Sequence, residues 1–351
     1  MTAAPTPVLL PVNQFDHFYR GGDRIGALRH GPGGPQRPEE WIASTTARFG
    51  QAPQGFSVLP DGRLLLEAIE GDPLAWLGAD HVARYGAGIE VLIKLLDLDQ
   101  RLPVHLHPNR EFARTHLGLA HGKTEAWYVL DAPEGGEVGV GFAEEMTREQ
   151  IAAWVAAEDA DALLASLRRR VVRPGDAMLV PAGLPHTVAS GVFVLELQEP
   201  TDLSILLEWQ GFAVDGVKDG HLDLGFDTAL QAVDLSAVSD ADLDRLVLPR
   251  EAIEGAGLHS AMPAAADAYF RAHRFDASDG AITVDGGFGV VLVLEGHGVL
   301  ASSTGSLEVA RGDVILVPFA AGDVTLHSQG PTPLVGVVCR PPAPDAPHDA
   351  R

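Results

Sequence analysis

Short apolar runs broken by glycine and proline fill most of the chain, and only one long stretch has helical character. Ile89-Glu90-Val91-Leu92-Ile93-Lys94-Leu95-Leu96 reads as a strand. Further strands are predicted at Pro103–His107, Glu125–Leu130, Ala177–Val180 and Val192–Leu197, a close spacing that suggests a barrel or sandwich. Between them, Thr147-Arg148-Glu149-Gln150 has capping-box form and opens an Ala- and Leu-rich helix over Ile151–Leu167. Arg168-Arg169-Arg170 is expected to close that helix as a solvated end, where positive charge suits the dipole, rather than to clamp a phosphate.

From Asp215 to Pro249 the chain turns acidic and loses strand character, as a connector with short helices would. A second strand-rich block then opens near Ala268 and runs to Cys339, and the Pro/Ala/Asp-rich tail from Pro341 to Arg351 is expected to fray. The second block echoes the first. Arg173-Pro174-Gly175-Asp176-Ala177-Met178-Leu179-Val180-Pro181 matches Ala310-Arg311-Gly312-Asp313-Val314-Ile315-Leu316-Val317-Pro318: a Gly-Asp turn, an apolar strand and a closing proline.

The length of 351 residues suggests two domains. They are placed at residues 1–235, with a helical insertion at about 146–170, and 236–351. Apolar residues at 46% with 39 Gly and 25 Pro favour a mostly β fold. A net charge of −23 repels phosphate backbones and anionic lipid, so nucleic acid and membrane partners are not expected. A small anionic substrate would need a locally basic site. Cys339 is the single cysteine, which rules out an intramolecular disulfide. Met1–Pro11 has no basic segment ahead of its short apolar run, and no stretch reaches the about 18–20 apolar residues of a membrane span. A cytoplasmic location is the expectation.

The chemistry concentrates in four residues. His105 and His107 are two apart on a predicted strand, so both imidazoles project to one face. Glu125 follows in Gly122-Lys123-Thr124-Glu125, and His186 closes the turn Pro181-Ala182-Gly183-Leu184-Pro185-His186. Three imidazoles and a carboxylate suit one divalent ion, zinc, manganese, iron, cobalt or nickel, with a position left for water or substrate. The second block has no His-x-His pair, and Val317-Pro318 is followed by no histidine at the corresponding place, so a metal-free second unit is expected.

The order His-x-His, Glu, Gly-(x)5-Pro-x-Gly-x-x-His resembles the cupin superfamily. More narrowly, Leu92–Pro108, Gly122–Leu130, Gly175–Asp202 and the earlier Glu39-Glu40-Trp41 resemble the class I mannose-6-phosphate isomerases. The resemblance implies two cupin, jelly-roll-type barrels with the second degenerate, a zinc ion, and aldose–ketose isomerisation of a sugar phosphate through an enediol. His107, Glu125 and His186 fall on the family's ligand motifs. His105 stands where the family has glutamine, and imidazole ligates at least as well.

Proton transfer needs a base and a group to stabilise the oxyanion. Lys123, Glu196 and Lys94 are the candidate catalytic residues. The chain holds only three lysines, Lys94, Lys123 and Lys218, and two of them lie in or beside strands leading to the histidines. Lysine can be tuned in pKa where arginine cannot. Glu196 sits in an apolar run where a carboxylate is costly unless paired; it matches a family glutamate near the metal and is the candidate base. Gln198 shares its strand face, and Asp202 falls on a family aspartate.

Two departures stand out. Leu206 occupies the place of a family arginine, and Pro103 that of a serine that helps hold phosphate. Arg20, Arg101 or Arg110 would have to compensate, and Arg20, Arg101, Gln198 and Asp202 are the expected substrate contacts. An isomerase or epimerase of an unphosphorylated or unusual sugar, or a non-catalytic sugar-binding cupin, are the alternatives.

Overall fold

The computed structural model describes residues 4–346, and its strands pair antiparallel in four sheets. In the first block a six-stranded sheet runs Glu39–Ile42, Leu92–Asp97, Phe193–Gln198, Glu125–Asp131, Ala177–Val180 and Val247–Leu248. A five-stranded sheet faces it in the order Ile205–Leu206, His105–Leu106, His186–Val188, Glu137–Phe142 and Leu167–Val171. The second block repeats the plan with a six-stranded sheet, Val8–Leu9, Val314–Val317, Gly289–Glu295, Val335–Arg340, Arg271–Asp276 and Gly257–Ser260, and a four-stranded one.

The six-stranded sheet of the first block is covered on both faces, which is why its strands read as continuous apolar runs. Ile93, Leu95, Ala126, Tyr128, Leu195 and Leu197 point outward into a core shared with Val290, Leu292, Val337 and Cys339 of the second block. The alternate residues Leu96, Trp127, Val129 and Val194 point inward and pack on Val138, Val140 and Val188 of the five-stranded sheet. Because the side-chain period is two, Lys94, Glu125 and Glu196 fall on that inner face. On the five-stranded sheet, Val104 and Leu106 enter an outer layer with Ile151, Val155 and Leu163 of the helices, leaving His105 and His107 turned inward.

Several expectations need correction. The capping box at Thr147 and Gln150 forms, but the helix is two, Arg148–Ala157 and Ala160–Ser166, broken at Glu158 in the left-handed region. Arg168–Arg170 lie on the strand Leu167–Val171 rather than at a helix end, and pair with Asp240, Glu137 and Asp244. Only His105–Leu106 of the predicted Pro103–His107 strand makes ladder bonds. The second block opens at Gly257, earlier than Ala268. Two pairings link distant parts of the chain: Val247–Leu248 joins Ala177–Val180, and Val8–Leu9 joins Val314–Val317. The tail is docked as far as it is described, since Tyr85 Oη donates to Ala343 O (3.0 Å) and Arg84 to Ala346 O (3.2 Å). Its remainder lies outside the described residues.

The internal repeat is structural. Gly175 and Gly312 both sit at positive φ, 90° and 92°, a turn that disfavours any side chain. In each copy the following aspartate accepts from a backbone N–H three residues back, Arg173 N to Asp176 and Ala310 N to Asp313. Among the described residues no helix is long and apolar enough to cross a membrane.

Candidate metal centre and the cavity around it

His105 and His186 are register partners on adjacent strands, and His107 follows just beyond the ladder. The three rings lie 4.2–4.9 Å apart, centre to centre, all buried. Each Nδ1 faces a backbone carbonyl: Pro103 O at 2.8 Å, Leu203 O at 2.7 Å and Leu184 O at 2.9 Å for His105, His107 and His186. A carbonyl only accepts, so each Nδ1 carries the proton and each Nε2 presents a lone pair to the cluster. Burial lowers the basicity of His105 well below its ordinary value and that of His107 to about 3, keeping both rings neutral.

Glu125 completes the group. Its carboxylate lies 3.0 Å from His107 Nε2 and 3.3 Å from His186 Nε2. Burial opposes its ionisation, but Lys123 and the histidines outweigh that and hold the carboxyl well below the ordinary range. Lys123 satisfies His107 Nε2 and Glu125, but His186 Nε2 faces the carboxylate with no hydrogen-bond partner, a buried polar atom that a cation would satisfy. The donor set therefore fits a divalent ion, and the carbonyls behind the rings are the supports such ligands use.

A cavity of about 580 Å³ opens over this cluster and is lined by His105, Lys123, Glu125, Glu196, Lys94 and Asp202 among others. Lys123 Nζ donates to Glu125 at 2.6 Å and to His107 Nε2 at 2.7 Å. Glu196, opposite Lys94 on the neighbouring strand, is pushed up from the ordinary carboxyl range by burial and by the charge of Glu125. Its Oε2 has no hydrogen-bond partner and lies 3.8 Å from Lys94 Nζ. Lys94 also faces Glu39 at 3.2 Å and Asp202 at 3.9 Å, and sits over the Trp41 ring. Burial works against its charge, but the three carboxylates hold it above its ordinary value, so Lys94 is a fixed ammonium.

The other expected contacts lie elsewhere. Arg101 forms a bidentate pair with Glu208, Arg110 pairs with Glu199, and Gln198 donates to Glu199 O and Thr201 O in the turn behind its strand. Arg20 is exposed, and neither it nor Arg101 nor Gln198 lines the cavity. Leu206 and Pro103 are both in the wall. Sequence reasoning missed His17, Tyr19, Arg48 and Lys218, which also line it. Tyr19 and Trp41 both donate to the buried Glu39. The alternation in Glu39-Glu40-Trp41-Ile42 was the available signal for Glu39; the loop residues offered none.

Fold and site together define a mostly β protein that gathers three imidazoles and a carboxylate for a metal beside a polar cavity. The chain is a divergent relative of the mannose-6-phosphate isomerases and shares their fold. It is 28% identical over 245 residues to mannose-6-phosphate isomerase ManA of Bacillus subtilis, covering 69% of this chain and 73% of that protein. The crystal structure of mannose 6-phosphate isomerase from Bacillus subtilis superposes with a TM-score of 0.72 at 21% identity, covering 96% of this chain and all of that one. A zinc-bound mannose 6-phosphate isomerase gives a TM-score of 0.72 at 14% identity, covering 97% and 100%. No protein-family model matches the sequence.

Proposed function

We propose that this protein is a metal-dependent aldose–ketose isomerase of hexose phosphates, interconverting mannose 6-phosphate and fructose 6-phosphate. The observation that carries the reading is the buried cluster of His105, His107 and His186, with His105, Lys123, Glu125 and Glu196 lining the cavity beside it, in a chain related to enzymes of that name. The four ligands would hold one divalent ion, zinc by likeness to the zinc-bound relative, and a bound ion there supplies polarisation of the sugar's oxygen atoms.

The chain's own groups account for the proton traffic. Glu196, as carboxylate, takes the proton from C2 of the aldose and returns it to C1, while the O2 hydroxyl proton passes to O1. A carboxyl raised from its ordinary value suits this two-way exchange near neutral pH. Lys123 donates toward the oxygen on which charge develops, and Lys94 keeps Glu196 in place as its fixed counter-charge. Asp202, at the cavity wall, would contact the substrate.

Each block is read as one cupin barrel, with the divide after Leu248 because Val247–Leu248 completes the first sheet. A buried lone cysteine, Cys339, agrees with a cytoplasmic enzyme. Leu206 and Pro103 in the wall favour a second reading, an isomerase of an unphosphorylated sugar. Zinc-loaded protein assayed with coupled detection on mannose 6-phosphate and mannose decides between them. Turnover of the phosphate ester, abolished at least about a thousandfold in His107→Ala, is expected; turnover confined to free sugars selects the second reading, and none on either removes both.

A further inference from the structure

The cations along the cavity wall are not equivalent. Lys94 is held by three carboxylates and Lys123 by Glu125, while Lys218 is 78% exposed at the rim, 3.8 Å from Asp219. Arg48 differs. It is the one arginine in the cavity lining, on the loop that follows Glu39–Ile42, and among the described residues no carboxylate lies within ion-pair distance of it.

Its placement is nevertheless fixed. Arg48 Nη1 donates to Asp16 O at 3.0 Å and to Gln54 Oε1 at 3.2 Å. The carboxylate of Asp16 is turned to Arg37 instead, at 3.1 Å. The loop closes on itself through Arg48 N to Gln54 O, 2.7 Å, and is tied to the cavity wall by Phe49 N donating to Asp202, 3.1 Å. One guanidinium nitrogen is thus spent on the loop, and Nε and Nη2 have no protein partner among the described residues.

Arg48 stays unneutralised although most of the charge lining the cavity is acidic. The residues between Arg48 and the histidines also have an order. His17, which burial keeps less basic than usual, is within electrostatic reach of Arg48, Lys94, Glu39 and Asp202. Lys94 Nζ lies 3.8 Å from Glu196 Oε2. The cavity thus holds, besides the groups at His105, Lys123 and Glu196, one guanidinium without a carboxylate partner, which matches a sugar that bears both a carbonyl and an anion.

We propose that Arg48 is the anchor for the substrate's phosphate, the fork of Nε and Nη2 gripping two of its oxygens, and so the residue that sets preference for phosphorylated over free sugar. This rests on the isomerase reading above and adds to it the residue that stands in for the arginine absent at Leu206. A fork of two parallel N–H donors suits phosphate geometry better than the point charge of a lysine.

The test compares wild type, Arg48→Ala, Arg48→Lys and Gln54→Ala, all zinc-loaded, on mannose 6-phosphate and mannose, with inorganic phosphate binding measured by calorimetry. Arg48→Ala is expected to raise KM for the phosphate ester about 30-fold or more with kcat changed less than about threefold, and to lower the phosphorylated-to-free preference by a similar factor. Arg48→Lys should recover part of the loss. Gln54→Ala, which removes a brace of the loop and keeps the guanidinium, should lose much less. An unchanged preference in Arg48→Ala, or an equal loss in Gln54→Ala, overturns the proposal. If wild type turns over no hexose phosphate, the isomerase reading falls, and calorimetry still decides for Arg48: phosphate bound at least tenfold more weakly by Arg48→Ala supports the anchor, and equal binding overturns it.

Discussion

A carboxyl group withdrawn from water near another carboxylate holds its proton longer than one in an unfolded chain, and Glu90 is in that position. Its side chain is 12% exposed, 3.6 Å from His121. Burial pushes its carboxyl up to about 7, with Arg110 offsetting part and Glu199 adding to it. Between the ordinary value of 4.5 and about 7 the folded protein keeps a proton that the unfolded chain has lost. Stability from this group is therefore highest below pH 4.5 and declines as pH rises through 7. Glu90→Gln should flatten that slope and stabilise the protein at pH 8 by about 1–2 kcal/mol, a figure reduced for partial solvent screening. Urea denaturation of both proteins at pH 5 and pH 8 measures it; parallel slopes would refute the assignment. At this scale the sequence was most legible where side-chain direction follows from spacing alone. His105, His107, Glu125 and Glu196 sit on strands whose period of two dictates their face. Arg48 and His17 sit in loops, where direction depends on Gln54, Asp16 and Asp202 coming together, and no spacing rule encodes that.

The short strand that carries the first two histidines has little ladder of its own. His105–Leu106 pairs through Ile205–Leu206 and at one residue of His186–Val188, and Leu207 N donates to Val104 O at 2.9 Å. Its remaining support is Glu208, fully buried, which accepts from Val104 N at 2.7 Å and from both guanidinium nitrogens of Arg101. Arg101 is thereby tied through Glu208 to the strand that bears His105. Removing Glu208 would leave Arg101 and a buried N–H without their acceptor. Glu208→Ala should cost about 3–5 kcal/mol of stability in chemical denaturation, whereas a loss under 1 kcal/mol would mean the strand is held by its neighbours alone. The helical insertion shows what local pattern can and cannot give. The capping box was readable in Thr147 and Gln150, but the Arg168–Arg170 strand was not, because its fate was settled by pairing with Glu137–Phe142 and by the carboxylates of Asp240 and Asp244.

For the whole molecule, the proposed metal ligands come from both sheets of the first block: Glu125 from the six-stranded sheet, and His105, His107 and His186 on or beside the five-stranded one. An ion bound by all four clamps the two sheets together and binds only the folded chain. At a free concentration about a thousandfold above Kd, that linkage is worth about 4 kcal/mol. Stripping the metal with a chelator should therefore lower Tm by roughly 5 °C, restored by zinc; scanning calorimetry before and after chelation reads it, and an unchanged Tm would place the ion outside this cluster.

The pairing of Val8–Leu9 with Val314–Val317 joins the first strand of the chain to one of its last. It covers what would otherwise be the open edge of the second block's six-stranded sheet, whose next residues, Val314 to Val317, are apolar and buried. During synthesis that edge strand emerges well before the partner strand it pairs with. A second block made without it would expose a row of unpaired backbone groups on an apolar strand, the template on which chains add to one another. The strand Val8–Leu9 thus acts as a seal applied late, guarding solubility in the second block.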